Sequence, residues 1–167
     1  MIASGVHPRD IRTRTRHDVG NRREPAMRRS AVRRVALSKV RVFESFPRRE
    51  LILLARLADE VHFEAGEAII REGRFGSEFY VILRGQVCVD QGGTRVATMG
   101  PGDHFGELAV LSPGPRTAGV TALTPVTALV LTSRGFEQAR RDVPELADIV
   151  MRRMAQRLRD ATSGVGS

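Results

Sequence analysis

Apolar residues recur at two different spacings along the chain and divide it into three segments. Between residues 31 and 58 they follow helical spacing, and Pro47 favours the first turn of a second helix there. From residue 60 to 132 the spacing changes to two and turn residues become dense, which is typical of strands. Helical spacing returns over 133–142, where Ser133 is the expected N-cap, and from Pro144 to about residue 162. The apolar positions of the helical segments are Val32, Val35, Ala36, Val40, Phe43, Leu51, Leu54, Ala55 and Leu57, then Leu146, Ile149, Val150, Met154 and Leu158.

The middle segment contains short strand candidates separated by turns such as Arg84-Gly85 and Gly100-Pro101-Gly102-Asp103. Many short strands at close spacing predict a β-sandwich, a jelly roll or a barrel. The predicted strands are Val61–Glu64, Ala68–Arg71, Phe79–Leu83, Gln86–Val89, Arg95–Met99, Thr117–Leu123 and Val126–Leu131.

The charge of the chain is concentrated at its N-terminus. Of the net charge of +8, residues 1–34 contribute ten arginines against three acidic residues, whereas the rest of the chain is nearly neutral. We expect residues 1–30 to form a disordered, arginine-rich arm. Three interpretations of this arm remain open: a solvated arm (or a true start at Met27), a segment that binds nucleic acid or anionic lipid by charge alone, and a targeting peptide.

The composition excludes several classes of protein. No apolar run approaches the roughly 18 residues of a membrane span, and no apolar secretion signal is present, so we expect a cytoplasmic protein. The single cysteine, Cys88, excludes a disulfide framework and is expected to pack in the core. His62 and His104 lie apart from each other, so we expect no metal site. No catalytic constellation is visible, which predicts that the protein is not an enzyme.

The segment from Phe105 to Ala118 has the composition of an anion site. Gly106 permits a tight backbone conformation, and a short helix beginning at Glu107 would present unpaired N–H groups. The planar guanidinium of Arg116 suits a phosphate. The Glu107 carboxylate is able to accept hydrogen bonds from a sugar hydroxyl.

This segment resembles the phosphate-binding cassette of the cyclic-nucleotide-binding domain family, which includes the Crp-type bacterial regulators and the regulatory subunits of cyclic-nucleotide-dependent kinases. The family pattern, Phe-Gly-Glu followed after a short loop by Arg-(Ser/Thr/Ala)-Ala-x-Val, runs without a gap to Val120. The resemblance covers roughly residues 35–162. It implies a stand-alone bacterial domain over 31–167: a mainly β jelly-roll barrel (60–132) with N-terminal helices (31–58) and two C-terminal helices (133–162).

The resemblance also implies a role for individual residues. Arg116 would pair with the phosphate, Glu107 and the Gly106 backbone would hold the ribose 2′-hydroxyl, and the N–H groups of Ala109 and Ala118 would bind phosphate oxygens. Thr117 would face the base or the phosphate. The complete predicted ligand set is Phe105, Gly106, Glu107, Leu108, Ala109, Arg116, Thr117 and Ala118, with Met151, Met154 and Leu158 as candidates to cap the base.

The implied function is a receptor for cAMP or cGMP that moves its C-terminal helices to signal to a partner. One alternative is a Crp-type DNA-binding regulator, although no helix-turn-helix is recognisable and nucleic acid would bind only through the arm. Another is a nucleotide-blind interaction module. Helix 144–162 is the expected surface for an effector protein or a second copy of the chain.

Overall fold

The computed structural model describes residues 26–106, Ala109 and residues 112–163. Four helices are described: α1 (Ala26–Ser38), α2 (Arg48–Leu57), α3 (Ser133–Asp142) and α4 (Pro144–Ser163), with a short 3-10 helix at Arg41–Phe43. The same residues form ten strands: β1 (Asp59–Phe63), β2 (Ala68–Ile70), β3 (Phe75–Gly76), β4 (Glu78–Arg84), β5 (Val87–Gln91), β6 (Thr94–Met99), β7 (His104–Phe105), β8 (Gly114–Pro115), β9 (Gly119–Ala122) and β10 (Val126–Thr132).

Each of the seven predicted strands overlaps an observed one, and the boundaries of some helices differ from the prediction. Helix α1 begins at Ala26, inside the segment that was predicted as a disordered arm, and residues 1–25 lie outside the described residues. The N-cap of α3 is Thr132 rather than Ser133, because the Thr132 hydroxyl accepts the Gly135 N–H at 3.0 Å.

The strands form two four-stranded antiparallel sheets. The first sheet has the order β1-β10-β4-β7, the second has the order β2-β9-β5-β6, and β3 pairs with β8 as a separate two-stranded ribbon. Neighbours that are distant in sequence, such as β4 and β10, require long connections between the sheets. This arrangement places β7 at one edge of the first sheet, at the start of the segment with the predicted anion-site composition.

The first sheet is buried on both faces. On β4, Tyr80 and Ile82 face the second sheet, whereas Phe79 and Val81 face the helices, and β10 follows the same alternation. Burial on both faces explains the continuous apolar run from Phe79 to Leu83, where a sheet with one wet face would alternate. The core between the sheets contains Val61, Phe63, Ile69, Ile70, Tyr80, Ile82, Val87, Phe105, Val120, Ala122, Val126, Ala128 and Val130.

The helices form a second core against the outer face of the first sheet. Helix α4 packs its apolar stripe here, with Ala147, Val150 and Met154 fully buried. The stripe predicted for the first helix begins later than expected, since Val32 and Val35 are exposed and burial starts at Leu37.

An ion pair adds to the contact between α4 and α2. The buried Glu50 carboxylate of α2 forms an ion pair with Arg153, with Glu50 Oε1 3.1 Å from Arg153 Nε. The N-terminal and C-terminal helices therefore cover one face of the sheet sandwich together.

Candidate functional site

A cavity of about 480 Å³ lies between the second sheet and the segment that follows β6. Its volume is in the range of small-molecule sites. The second sheet contributes apolar side chains, and the polar side chains among the described lining residues are those of His104, Ser112, Arg116 and Thr117. The cavity is lined by Ile70, Val89, Met99, His104, Phe105, Gly106, Ala109, Ser112, Gly114, Pro115, Arg116, Thr117, Ala118 and Val120.

Arg116 is the only arginine or lysine among the described residues that line this cavity. Its side chain is 9% exposed. Arg116 Nη2 donates to the Glu78 backbone carbonyl at 2.9 Å and to Glu78 Oε2 at 2.9 Å. The same Oε2 accepts from the Ser77 N–H at 3.0 Å. The guanidinium is therefore fixed at one nitrogen by a strand of the first sheet.

Two glycines provide the space that the guanidinium occupies. A Cβ built on Gly76 would lie 2.2 Å from Arg116 Nε, and a Cβ on Gly106 would lie 2.8 Å from Arg116 Nη1. Gly106 also has a φ of +75°, a backbone conformation that favours glycine. Any side chain at either position would collide with Arg116, so both glycines set where its charge lies.

The backbone of Arg116 is fixed as well as its side chain. Its N–H donates to the Arg74 carbonyl at 2.8 Å, and its carbonyl accepts from the Gly73 N–H at 2.8 Å. These bonds extend the β3–β8 pairing at one end, beyond the pair formed by Phe75 and Pro115. The ribbon thus holds the arginine at the rim of the cavity while Glu78 holds its far end.

Tyr80 lies beneath the site, stacked on Phe105 with the ring centroids 5.0 Å apart. Burial raises the pKa of its hydroxyl well above the ordinary value, and the nearby Glu78 carboxylate raises it further, whereas the Arg116 guanidinium opposes them. The folded protein therefore keeps this hydroxyl protonated at a pH where the unfolded chain would ionise it.

This pKa shift predicts a loss of stability in alkali. Because the pKa is raised on folding, its contribution is complete below about pH 10 and is lost as the pH rises further. Tyr80 is the only tyrosine in the chain, so tyrosinate absorbance reports on it alone. We expect the tyrosinate absorbance to appear at the pH where the protein unfolds, with unfolding monitored by circular dichroism. The Tyr80→Phe variant should lose less stability than the wild type above pH 10. Ionisation of Tyr80 at its ordinary pKa in a folded protein would contradict this.

Most of the ligand residues predicted from the sequence line the cavity: Phe105, Gly106, Ala109, Arg116, Thr117 and Ala118. Glu107 and Leu108 lie outside the described residues. Thr117 is exposed and Ala118 is half-buried. The Ala109 N–H donates to the Gly106 carbonyl at 3.2 Å.

Of the predicted base-cap residues, Met151 and Met154 do not line the cavity. Met154 is fully buried in the helical core, and Met151 packs at the edge of that core. The side chain of Leu158 lies outside the described part of the chain. Capping of a base by Met154 would require α4 to leave the helical core.

Sequence reasoning missed the partner of Arg116 and the apolar wall of the cavity. Glu78 is an acidic residue at the start of a run of buried apolar residues, and this break in the pattern was the available signal. The wall consists of Ile70, Val89, Met99 and Val120, which come from four different strands. No local motif connects them.

The other singled-out residues have separate surroundings. His62 lies on β1, where its Nδ1 is 3.1 Å from the Thr127 hydroxyl, and His104 packs against Phe79. Cys88 is buried, and its Sγ lies 3.5 Å from Asp90 Oδ2.

Over residues 26–106, 109 and 112–163, no group of three or more histidines, cysteines or acidic residues is placed to hold a metal ion. In the same part of the chain, no helix has the length and apolarity needed to cross a membrane.

Comparison with known proteins places this site in a family. Residues 60–142 match the family described as the cyclic nucleotide-binding domain. A CRP-like cAMP-activated global transcriptional regulator of Mycobacterium tuberculosis is 30% identical over 128 residues, which is 74% of this chain and 57% of that protein. The chain thus spans little more than half the length of this relative.

Solved structures support the same assignment. The N-terminal domain of a transcriptional regulator from Streptomyces coelicolor matches 77% of this chain and 95% of its own, with a TM-score of 0.67 and 30% identity. The regulatory domain of Toxoplasma gondii PKA, solved with cAMP, matches 78% of this chain and 51% of its own, with a TM-score of 0.62; at 24% identity it shows the fold alone. The predicted jelly-roll fold is confirmed, and the chain belongs to the cyclic nucleotide-binding domain family.

Proposed function

We propose that this protein is a receptor for cAMP, which binds in the cavity with its cyclic phosphate at Arg116. The observation that carries the proposal is one buried guanidinium, the only one among the described residues that line the cavity, opposite an apolar wall and within the sequence that matches the family. The activity is binding rather than catalysis.

The chemistry of a cyclic nucleotide fits the groups that line the cavity. The cyclic phosphate carries one negative charge, and charge-assisted hydrogen bonds from a planar guanidinium are the strong contacts for such a group. The purine is flat and largely apolar, which suits the wall formed by Ile70, Val89, Met99 and Val120. We assign the ribose hydroxyl to Glu107 and the remaining phosphate oxygens to the N–H groups of Ala118 and Ala109, the second of which would have to leave the Gly106 carbonyl.

The identity of the base is the finer part of the proposal. We favour adenine because the M. tuberculosis relative carries cAMP in its name. Guanine is the alternative, since the exposed hydroxyl of Thr117 follows Arg116 directly and is able to bond to a guanine amino group. The adenine of cAMP and the guanine of cGMP would present different hydrogen-bonding groups to Thr117. The ratio of the two affinities therefore identifies the nucleotide that this protein recognises.

The proposed output is a movement of α3 and α4 that changes contacts with an effector protein or a second copy of the chain. Helix α4 packs on the N-terminal helices through its apolar stripe and the Arg153–Glu50 ion pair. A nucleotide shifts this packing only by binding one arrangement of the helices more tightly than another. Release of Met154 from the helical core would make it available to cap the base.

Thermal stabilisation of the full chain by four compounds tests the proposal. A ligand that binds only the folded protein raises the Tm, and at equal ligand concentration the rise is larger for the ligand with the lower Kd. We expect cAMP to give the largest shift in Tm and cGMP a smaller one. Adenosine should give little, because it lacks the phosphate, and inorganic phosphate should give little, because it lacks the base and the ribose. A shift from adenosine equal to that from cAMP would contradict phosphate recognition, and a larger shift from cGMP would reassign the messenger.

A further inference from the structure

The Glu78 carboxylate is an anion of the protein itself that lies next to the proposed phosphate site. Its carboxylate lies 2.9 Å from Arg116 Nη2, and the two side chains are 8% and 9% exposed. Arg116 Nη1, by contrast, lies on the Gly106 side of the guanidinium, where the cavity is. One arginine therefore faces a fixed carboxylate with one nitrogen and a ligand cavity with another.

The carboxylate stabilises the arginine in protein that has no bound anion. A buried guanidinium without a counter-ion is strongly unfavourable, so removal of its partner destabilises the fold. Glu78 is itself fixed by the Ser77 N–H at 3.0 Å, which keeps its charge in place instead of letting it turn toward solvent. Its backbone carbonyl accepts a second bond from the same Arg116 nitrogen.

We propose that Glu78 competes electrostatically with the nucleotide phosphate for Arg116, so that it stabilises the unliganded protein and weakens nucleotide binding. This inference rests on the proposed function and adds to it a residue that sets the affinity. A bound phosphate supplies a counter-ion of its own, which makes the Glu78 charge redundant. The two anions then share one cation across a short distance in a site with little solvent, and like charges so placed repel.

Glu78→Gln isolates the charge, because an amide oxygen is still able to accept from Arg116 and Ser77. Two effects act in the same direction on affinity: the unliganded protein loses the counter-ion, and the liganded protein loses the repulsion. We therefore expect the Tm without nucleotide to fall and the affinity for cAMP to rise by about tenfold. A residue with only a structural role would lower both.

The experiment measures the Tm and the Kd for cAMP of full-length wild type, Glu78→Gln and the control Glu44→Gln, which removes an exposed carboxylate. The control is expected to match the wild type in both quantities. An unchanged or weaker affinity in Glu78→Gln overturns the inference and leaves the proposed function intact. A wild type that does not bind cAMP overturns both.

A second comparison needs no nucleotide. In an Arg116→Ala background the Glu78 carboxylate is buried without its cation, so Glu78→Gln should raise the free energy of unfolding, whereas it lowers that energy in the wild-type background. The free energies of unfolding are measured by urea denaturation. A change of sign in the effect of Glu78→Gln between the two backgrounds is specific to a charge pair. Loss of stability by the same amount in both backgrounds would overturn the inference.

Discussion

Replacing Arg116 with alanine is expected to weaken cAMP binding about 10- to 150-fold, since a hydrogen bond to a charged group contributes roughly 1.5–3 kcal/mol. The side chain is almost fully buried, which limits screening by solvent. The substitution removes the only arginine or lysine among the described residues that line the cavity. Competition of cAMP against a fluorescent cyclic nucleotide, measured on the full chain, gives the ratio of the two affinities.

The control for this substitution is Arg95→Ala, which removes an exposed arginine from the β5–β6 hairpin. It changes the net charge by the same amount and leaves the cavity intact, so its affinity should equal that of the wild type. Since Arg116→Ala also leaves Glu78 unpaired, its folding is verified by circular dichroism before binding is compared. A loss of less than about threefold in folded protein would reject Arg116 as the phosphate ligand.

Gly106→Ala is expected to reduce nucleotide affinity by about tenfold or more, the equivalent of about 1.4 kcal/mol. The new Cβ would lie 2.6 Å from the Glu78 carbonyl oxygen and 2.8 Å from Arg116 Nη1, so both the strand and the guanidinium must move. The positive φ of +75° adds strain of roughly 1–2 kcal/mol for any residue with a Cβ. We therefore expect a lower Tm as well as weaker binding.

Gly102→Ala separates these two effects. Gly102 has a φ of +89°, but a Cβ there would meet nothing within 4 Å. It should share the loss of stability that comes from the backbone and retain wild-type affinity for cAMP. Calorimetric titration of both variants gives the comparison. Equal affinities in the two variants would show that contact with Arg116 at Gly106 has no part in binding.

The parts of the fold that the sequence predicted are those with a local signal. The run from Phe79 to Leu83 and the run from Val126 to Leu131 are long enough to show their strands. Pro47 and Pro144 marked the starts of helices, at or next to the observed first residue. The missed strands β3, β7 and β8 have two residues each, which is too short for any periodicity to appear.

The residues of the candidate site also divide into those with a local sequence signal and those without one. Arg116 and Gly106 belong to a contiguous motif, so their proximity to a cavity was predictable from the sequence. Glu78 is 38 residues from Arg116 along the chain, and their contact depends on the register of β4 and on the path of the β3–β8 ribbon. Exposure of Val32 and Val35 was likewise unpredictable, because it depends on where α1 leaves the helical core.

Calorimetric titration of the full-length protein with cAMP tests the central claim most directly. We expect one nucleotide to bind per chain, with micromolar or tighter affinity in the wild type and a much weaker affinity in Arg116→Ala. The absence of heat from wild-type protein that unfolds cooperatively would contradict the account, since it would mean that the fold is present and the site does not bind this nucleotide.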